Sequence, residues 1–121
     1  MSKVLIVEDN EMNRDMLMRR LQRKGYEIDI AINGEDALYQ VNQSKPDIIL
    51  MDMSLPVMDG WEATRILKLH DNTKHIPIIG LSAHARKTDV EKGIAAGCNA
   101  YETKPVDLEK LINTMEIFLT D

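Results

Sequence analysis

Five short apolar runs punctuate this chain, and each is followed by a segment with helical spacing. Val4–Val7 is a continuous aliphatic run, and Ile48–Met51 is another. Runs of this length with no polar interruption read as strands buried on both faces, as in a parallel sheet covered by helices. Tyr26–Ile32 alternates instead, with Ile28, Ile30 and Ile32 separated by Asp29 and Ala31, which suits a strand nearer an edge. Ile78–Leu81, introduced by Pro77, and Ala100–Thr103 complete the set. The runs recur at intervals of roughly 20 to 30 residues, enough for a crossover helix each time.

The intervening segments supply those helices. Glu11–Lys24 carries apolar residues at Met12, Met16, Leu17 and Leu21, with Asn10 placed as N-cap and Gly25 as the stop. Glu35–Gln43, Trp61–Leu69 and Thr88–Ala96 follow the same period, the last ended by Gly97. Asp107–Leu119 places Leu108, Leu111, Ile112, Met115 and Leu119 on one face, with Asp107 as its cap. The prolines fall at element boundaries, where no ladder bond is lost. The predicted class is therefore α/β, a (βα)5 parallel sheet with helices on both faces. At 121 residues the chain holds one core and not two, so residues 1–121 read as a single domain.

Charge and composition narrow the function classes. A net charge of −5 argues against direct nucleic-acid binding, which needs a basic surface. No apolar run is long enough to span a membrane. Met1-Ser2-Lys3 runs straight into the first strand, which does not read as a signal peptide. The lone Cys98 rules out an internal disulfide and suits a reducing cytosol, so a cytoplasmic location is expected.

The strand ends carry the chemistry. Val4–Val7 ends in Glu8-Asp9, Ile48–Met51 in Asp52, and the run from Ala100 in Lys104-Pro105. In an open parallel sheet these ends share one edge, and ligands bind there, where the winding direction reverses. A single Asp at a strand end is usually a turn residue. Three acids at two such strands, with a lysine after the fifth, form a cluster that repels itself. A hard divalent cation such as Mg²⁺ resolves the conflict, because it takes carboxylate oxygens, waters and a phosphate oxygen together. His70, His75 and His84 have no metal-ligand spacing. The methionines read mostly as core, with Met58 set apart because it lies in the loop after Asp52. Trp61 reads as packing at a helix start.

The pieces Val4-Leu5-Ile6-Val7-Glu8-Asp9-Asn10, Pro46-Asp47-Ile48-Ile49-Leu50-Met51-Asp52, Leu55-Pro56 with Met58-Asp59-Gly60, Leu81-Ser82-Ala83 and Tyr101-Glu102-Thr103-Lys104-Pro105 stand in one order along the chain. In that order and spacing they resemble the receiver domains of two-component response regulators, over the whole length. The resemblance implies a flavodoxin-like strand order of 2-1-3-4-5, with Glu8-Asp9 and Asp52 on the two strands that flank the crevice. It implies that Asp52 accepts a phosphoryl group from a phosphohistidine on a histidine kinase or phosphotransfer protein. It implies a Mg²⁺ site of Glu8, Asp9, Asp52 and the Ser54 backbone carbonyl. Ser82 takes the place of the hydroxyl that reaches for the phosphoryl oxygen, Tyr101 that of the aromatic switch, and Lys104 that of the ammonium that reads the added charge. Pro105 matches a proline that in relatives often follows a cis peptide bond. Relatives dock partners on the surface from Ser82 to Leu119. A chain ending at Asp121, just after the last helix, is expected to act on a downstream protein in trans, as a stand-alone receiver with no output domain.

Some positions depart from the commonest pattern. Glu8 stands where many relatives have Asp, which lengthens the arm to the metal, and Ser82 stands where Thr is also common. Ser54 and His84 occupy variable positions that tune hydrolysis of the phosphoryl group. Two other readings compete. Phosphatases and mutases with an aspartyl-phosphate intermediate carry a second acid two residues after the nucleophile, where this chain has Ser54. A degenerate receiver would bind partners without phosphorylation, and the intact Asp9, Asp52 and Lys104 argue against that.

Overall fold

The aliphatic runs become central strands because neither of their faces meets water. The computed structural model describes residues 2–55, 58–83 and 87–119, so Pro56 and His84 lie outside the described residues. In chain order the elements are β1 (Lys3–Val7), α1 (Glu11–Arg23), β2 (Glu27–Ala31), α2 (Gly34–Ser44), β3 (Ile48–Asp52), α3 (Gly60–Leu69), β4 (Ile78–Ser82), α4 (Lys87–Ala96), β5 (Ala100–Thr103) and α5 (Leu108–Leu119). All five strands pair in parallel, in the order β2-β1-β3-β4-β5. The alternating strand, β2, is indeed at an edge. No helix among the described residues is long and apolar enough to cross a membrane.

Period-two geometry splits each strand between two cores. Leu5, Val7, Ile49 and Met51 point to a layer with Ala37, Val41, Ala63 and Leu67, from α2 and α3. Val4, Ile6, Ile48 and Leu50 point the other way, onto Leu21 of α1 and Leu111 and Met115 of α5. Every residue of β3 is buried. Truncating a central side chain such as Leu50→Ala is expected to cost about 2–5 kcal/mol.

The helix ends follow local chemistry. Asn10 Oδ1 accepts from the Asn13 N–H at 2.9 Å, and Gly25, at φ 95°, closes α1. Asn33 is the N-cap of α2 and accepts from the Asp36 N–H at 2.7 Å, so that helix starts at Gly34 and not at Glu35. Asp59 caps α3 through the Glu62 N–H at 2.9 Å, which starts the helix at Gly60. Asp107 Oδ1 accepts from the Lys110 N–H at 3.2 Å, as expected for the cap of α5.

The methionine expectation needs correction on α1. Met51, Met53 and Met115 are fully buried, but Met12 is 75% and Met16 42% exposed. The stripe that meets the sheet is carried by Leu17, Met18 and Leu21, which leaves the first turns of α1 in solvent. Met58 is half-buried and packs on the α2–α3 core, close against Gly34 at the start of α2.

Candidate functional site

Strand pairing brings the charged ends together. Val7 pairs with Met51, so the residues that follow, Glu8 and Asp52, leave adjacent parallel strands at the same level. Backbone bonds hold both strand ends. The Glu8 N–H donates to Ala31 O at 3.0 Å, and the Met53 N–H donates to Leu81 O at 2.9 Å. Carboxylate oxygens of Glu8, Asp9 and Asp52 all lie within 4.8 Å of one another. Glu8 and Asp52 are buried at 6% and 4% exposure, while Asp9 faces solvent.

Lys104 arrives from the end of β5, where its N–H donates to Ser82 O at 2.7 Å and the Lys104–Pro105 peptide is cis. Its ammonium donates to Glu8 Oε1 at 2.5 Å and to Asp52 Oδ2 at 3.2 Å. One cation therefore serves two buried carboxylates, with a third beside them. Burial pushes the Glu8 carboxyl up to about 7, Asp52 adds to the rise, and Lys104 opposes it. Burial works against the Lys104 ammonium too, but its bonds to Glu8 and Asp52 outweigh that and hold it above its ordinary value.

The remaining Asp52 oxygen, Oδ1, accepts from the Ser54 N–H at 2.9 Å, so the backbone two residues on fixes the carboxylate plane. Ser82 is buried at the end of β4, opposite Thr103 of β5. Tyr101 lies on β5, opposite Gly80, half-buried against the α2–α3 core. Every candidate site residue thus sits on the carboxyl-terminal edge or on the strands that lead to it. Glu8, Asp52 and Lys104 touch directly. The Tyr101 ring lies deeper, between β4 and α4.

Two contributors were not expected from sequence. Arg14, on α1, donates from Nη1 to the Glu8 carbonyl at 3.0 Å and so anchors the turn between β1 and α1. Nothing separates it in sequence from the other basic residues of that helix. Gly60 backs the site from behind, because a Cβ there would lie 2.4 Å from the Asp52 carbonyl oxygen. Nothing in the Asp59-Gly60 pair marks this close approach in the sequence. Beside the cluster, a cleft of about 500 Å³ opens between α1 and the start of α5, lined by Met16, Leu17, Leu81, Pro105 and Val106.

The donor set suits a hard divalent ion. It consists of carboxylate oxygens alone, converging from two strand ends, with no sulfur or imidazole. The same residues suit charge stabilisation of a phosphoryl group on Asp52, since an ammonium already touches its carboxylate.

Known proteins resemble this chain in sequence and in fold. DivK, a polar-differentiation response regulator of Brucella anthropi, is 41% identical over 118 residues, which is 98% of this chain and 96% of that protein. The chemotaxis protein CheY4 of Vibrio cholerae superposes with a TM-score of 0.92 at 32% identity, covering 98% of this chain and 99% of its own. The receiver domain of a sensor histidine kinase from Pseudomonas aeruginosa, solved with a magnesium ion coordinated in its active-site cleft, also reaches 0.92, at 33% identity over 99% and 98% of the two chains. Residues 4–116 match the family described as the response regulator receiver domain. Strand order and sequence agree: this chain belongs to the response regulator receiver domain family, and it is a signalling domain of the two-component type.

Proposed function

We propose that Asp52 is the phosphoacceptor of a phosphorelay and that its phosphorylation switches a partner-binding face. The observation that carries this reading is the contact of Lys104 with both Glu8 and Asp52, with Asp9 close by, at the carboxyl edge of the sheet.

In the proposed step an Asp52 oxygen attacks the phosphorus of a phosphohistidine on a histidine kinase or phosphotransfer protein. The new P–O bond forms as the P–N bond breaks, and the electron pair of that bond returns to the imidazole. Glu8, Asp9, Asp52 and the Ser54 backbone carbonyl would hold Mg²⁺, which when bound offsets negative charge on the carboxylates and the phosphoryl oxygens. The Lys104 ammonium turns from the Asp52 carboxylate to the phosphoryl oxygens without leaving its place. The Ser82 hydroxyl donates to one of those oxygens. Arg14 and the Ser54 N–H hold Glu8 and Asp52 in register while this happens. The apolar cleft beside Glu8 and Lys104 gives the donor protein a footing within reach of the site.

Ser82 and Tyr101 then transmit the change to the face built from β4, α4, β5 and α5, where the downstream protein binds. Direct nucleic-acid binding and membrane attachment form no part of this role, which is played in the cytoplasm. The test is incubation with acetyl phosphate and Mg²⁺, followed by intact mass spectrometry. A phosphoryl adduct that needs Mg²⁺ and disappears in Asp52→Asn supports the proposal. An adduct that persists in Asp52→Asn, or none in the parent protein, overturns it.

A further inference from the structure

Gly93 is buried in the interior of α4. Glycine is the poorest helix former apart from proline, so its presence in mid-helix calls for a compensating contact. The geometry supplies one. A Cβ at residue 93 would lie 2.8 Å from Cδ2 and 2.9 Å from Cε2 of Tyr101. From the sheet, a Cβ at Gly80 on β4 would lie 3.1 Å from the same Cδ2. The ring edge therefore sits in a slot walled by two residues that lack side chains, one on the sheet and one on the helix.

The outer side of the slot is also built. Trp61 Nε1 lies 3.9 Å from the position a Cβ would take at Gly93. The Lys92 ammonium stands 4.0 Å above the centre of the Trp61 ring, which ties α4 to α3 at the same level. The strand wall is fixed, because β4 is paired on both edges, to β3 and to β5, and Met53 and Cys98 crowd the same Cβ position at Gly80. Any change in the slot must therefore come from the helix wall or from the ring itself.

We propose that Gly93 is the positioning residue of Tyr101: it gives the ring its inward seat and makes ring position and α4 placement move together. This rests on the reading of Tyr101 as part of the switch, but the seat exists in the unphosphorylated chain and is measured there. With Gly93→Ala the ring must leave the slot or α4 must lift away from β4.

Two readouts test this, both without metal or phosphodonor, so a failure of the Asp52 chemistry leaves them untouched. The first is a thermal-denaturation cycle. Gly93→Ala is expected to lower Tm in the parent chain and to raise it by about 3 °C in a Tyr101→Ala background, where only helix propensity is left. A change of the same sign in both backgrounds overturns the seat. If Gly93→Ala does not fold, rescue by Tyr101→Ala supports the proposal, and failure of that rescue overturns it. The second readout is ¹⁹F NMR of protein labelled with 3-fluorotyrosine, with the Tyr101 resonance assigned by Tyr101→Phe. Gly93→Ala is expected to shift that resonance towards its solvent-exposed position, and an unmoved resonance overturns the proposal.

Discussion

The protonation of Glu8 makes the stability of the metal-free protein depend on pH in a direction opposite to that of an ordinary paired carboxylate. In the fold the group is raised to about 7, against an ordinary value of 4.5. Between these two values the folded chain holds a proton that the unfolded chain has released. Stability from this group is therefore fully present below about pH 4.5 and is lost as pH rises through 7. The gap corresponds to about 3 kcal/mol, at roughly 1.4 kcal/mol per pH unit. For a domain of this length that is a fall in Tm of about 10 °C. The assay is thermal denaturation in EDTA from pH 5 to pH 8, for the parent and for Glu8→Gln. Subtracting the two removes the contributions of the histidines and of the other acids. The parent is expected to lose about 10 °C relative to Glu8→Gln over that range. Parallel curves would refute the reasoning, because they would mean that Lys104 alone neutralises the buried pair.

Saturating Mg²⁺ is expected to raise Tm at pH 7.5, with about 2.7 kcal/mol of stabilisation at one hundred times Kd, and Asp9→Asn should remove most of the gain; a Tm indifferent to Mg²⁺ in the parent speaks against the acid cluster as a metal site. Without metal, Asp9→Asn or Asp52→Asn should be more stable than the parent. For the solvent-exposed Asp9 the gain is about 1 kcal/mol after screening, and an unchanged or lower Tm undercuts the repulsion claim. Gly60→Ala places a Cβ against the Asp52 carbonyl, which should cost about 1–3 kcal/mol by denaturant titration and slow phosphorylation by acetyl phosphate. Normal rates in that variant would show that the backbone behind Asp52 tolerates displacement.

Much of the fold was legible because the signals are local. The uninterrupted runs of β1 and β3 announce strands covered on both faces, and the alternation of β2 announces an edge. Caps blurred the boundaries: Asn33 and Asp59 each accept one free N–H of a first turn and start the helix at a glycine, one residue before the apolar spacing placed it. The acids of the site were visible as charges at strand ends, because a parallel sheet sorts those ends onto one edge. The strand order, which sets Glu8 beside Asp52, came through family resemblance and not from any residue pattern. Contacts between one element and another left no trace in the sequence. The bond from Arg14 to the Glu8 carbonyl, the approach of Gly60 to Asp52 and the slot that Gly80 and Gly93 make for Tyr101 exist only once the layers have packed. Met12 and Met16 show the same limit from the other side, since helical spacing places them on a stripe but cannot say where the sheet beneath it ends.

The central claim is that Asp52 carries the phosphoryl group. Acetyl phosphate and Mg²⁺ treatment followed by borohydride reduction converts an aspartyl phosphate to homoserine, which peptide mass spectrometry can place in the chain. Homoserine at position 52, absent without phosphodonor and absent in Asp52→Asn, is the predicted result. Homoserine at another aspartate, or none at all in a protein that carries the adduct, would contradict it.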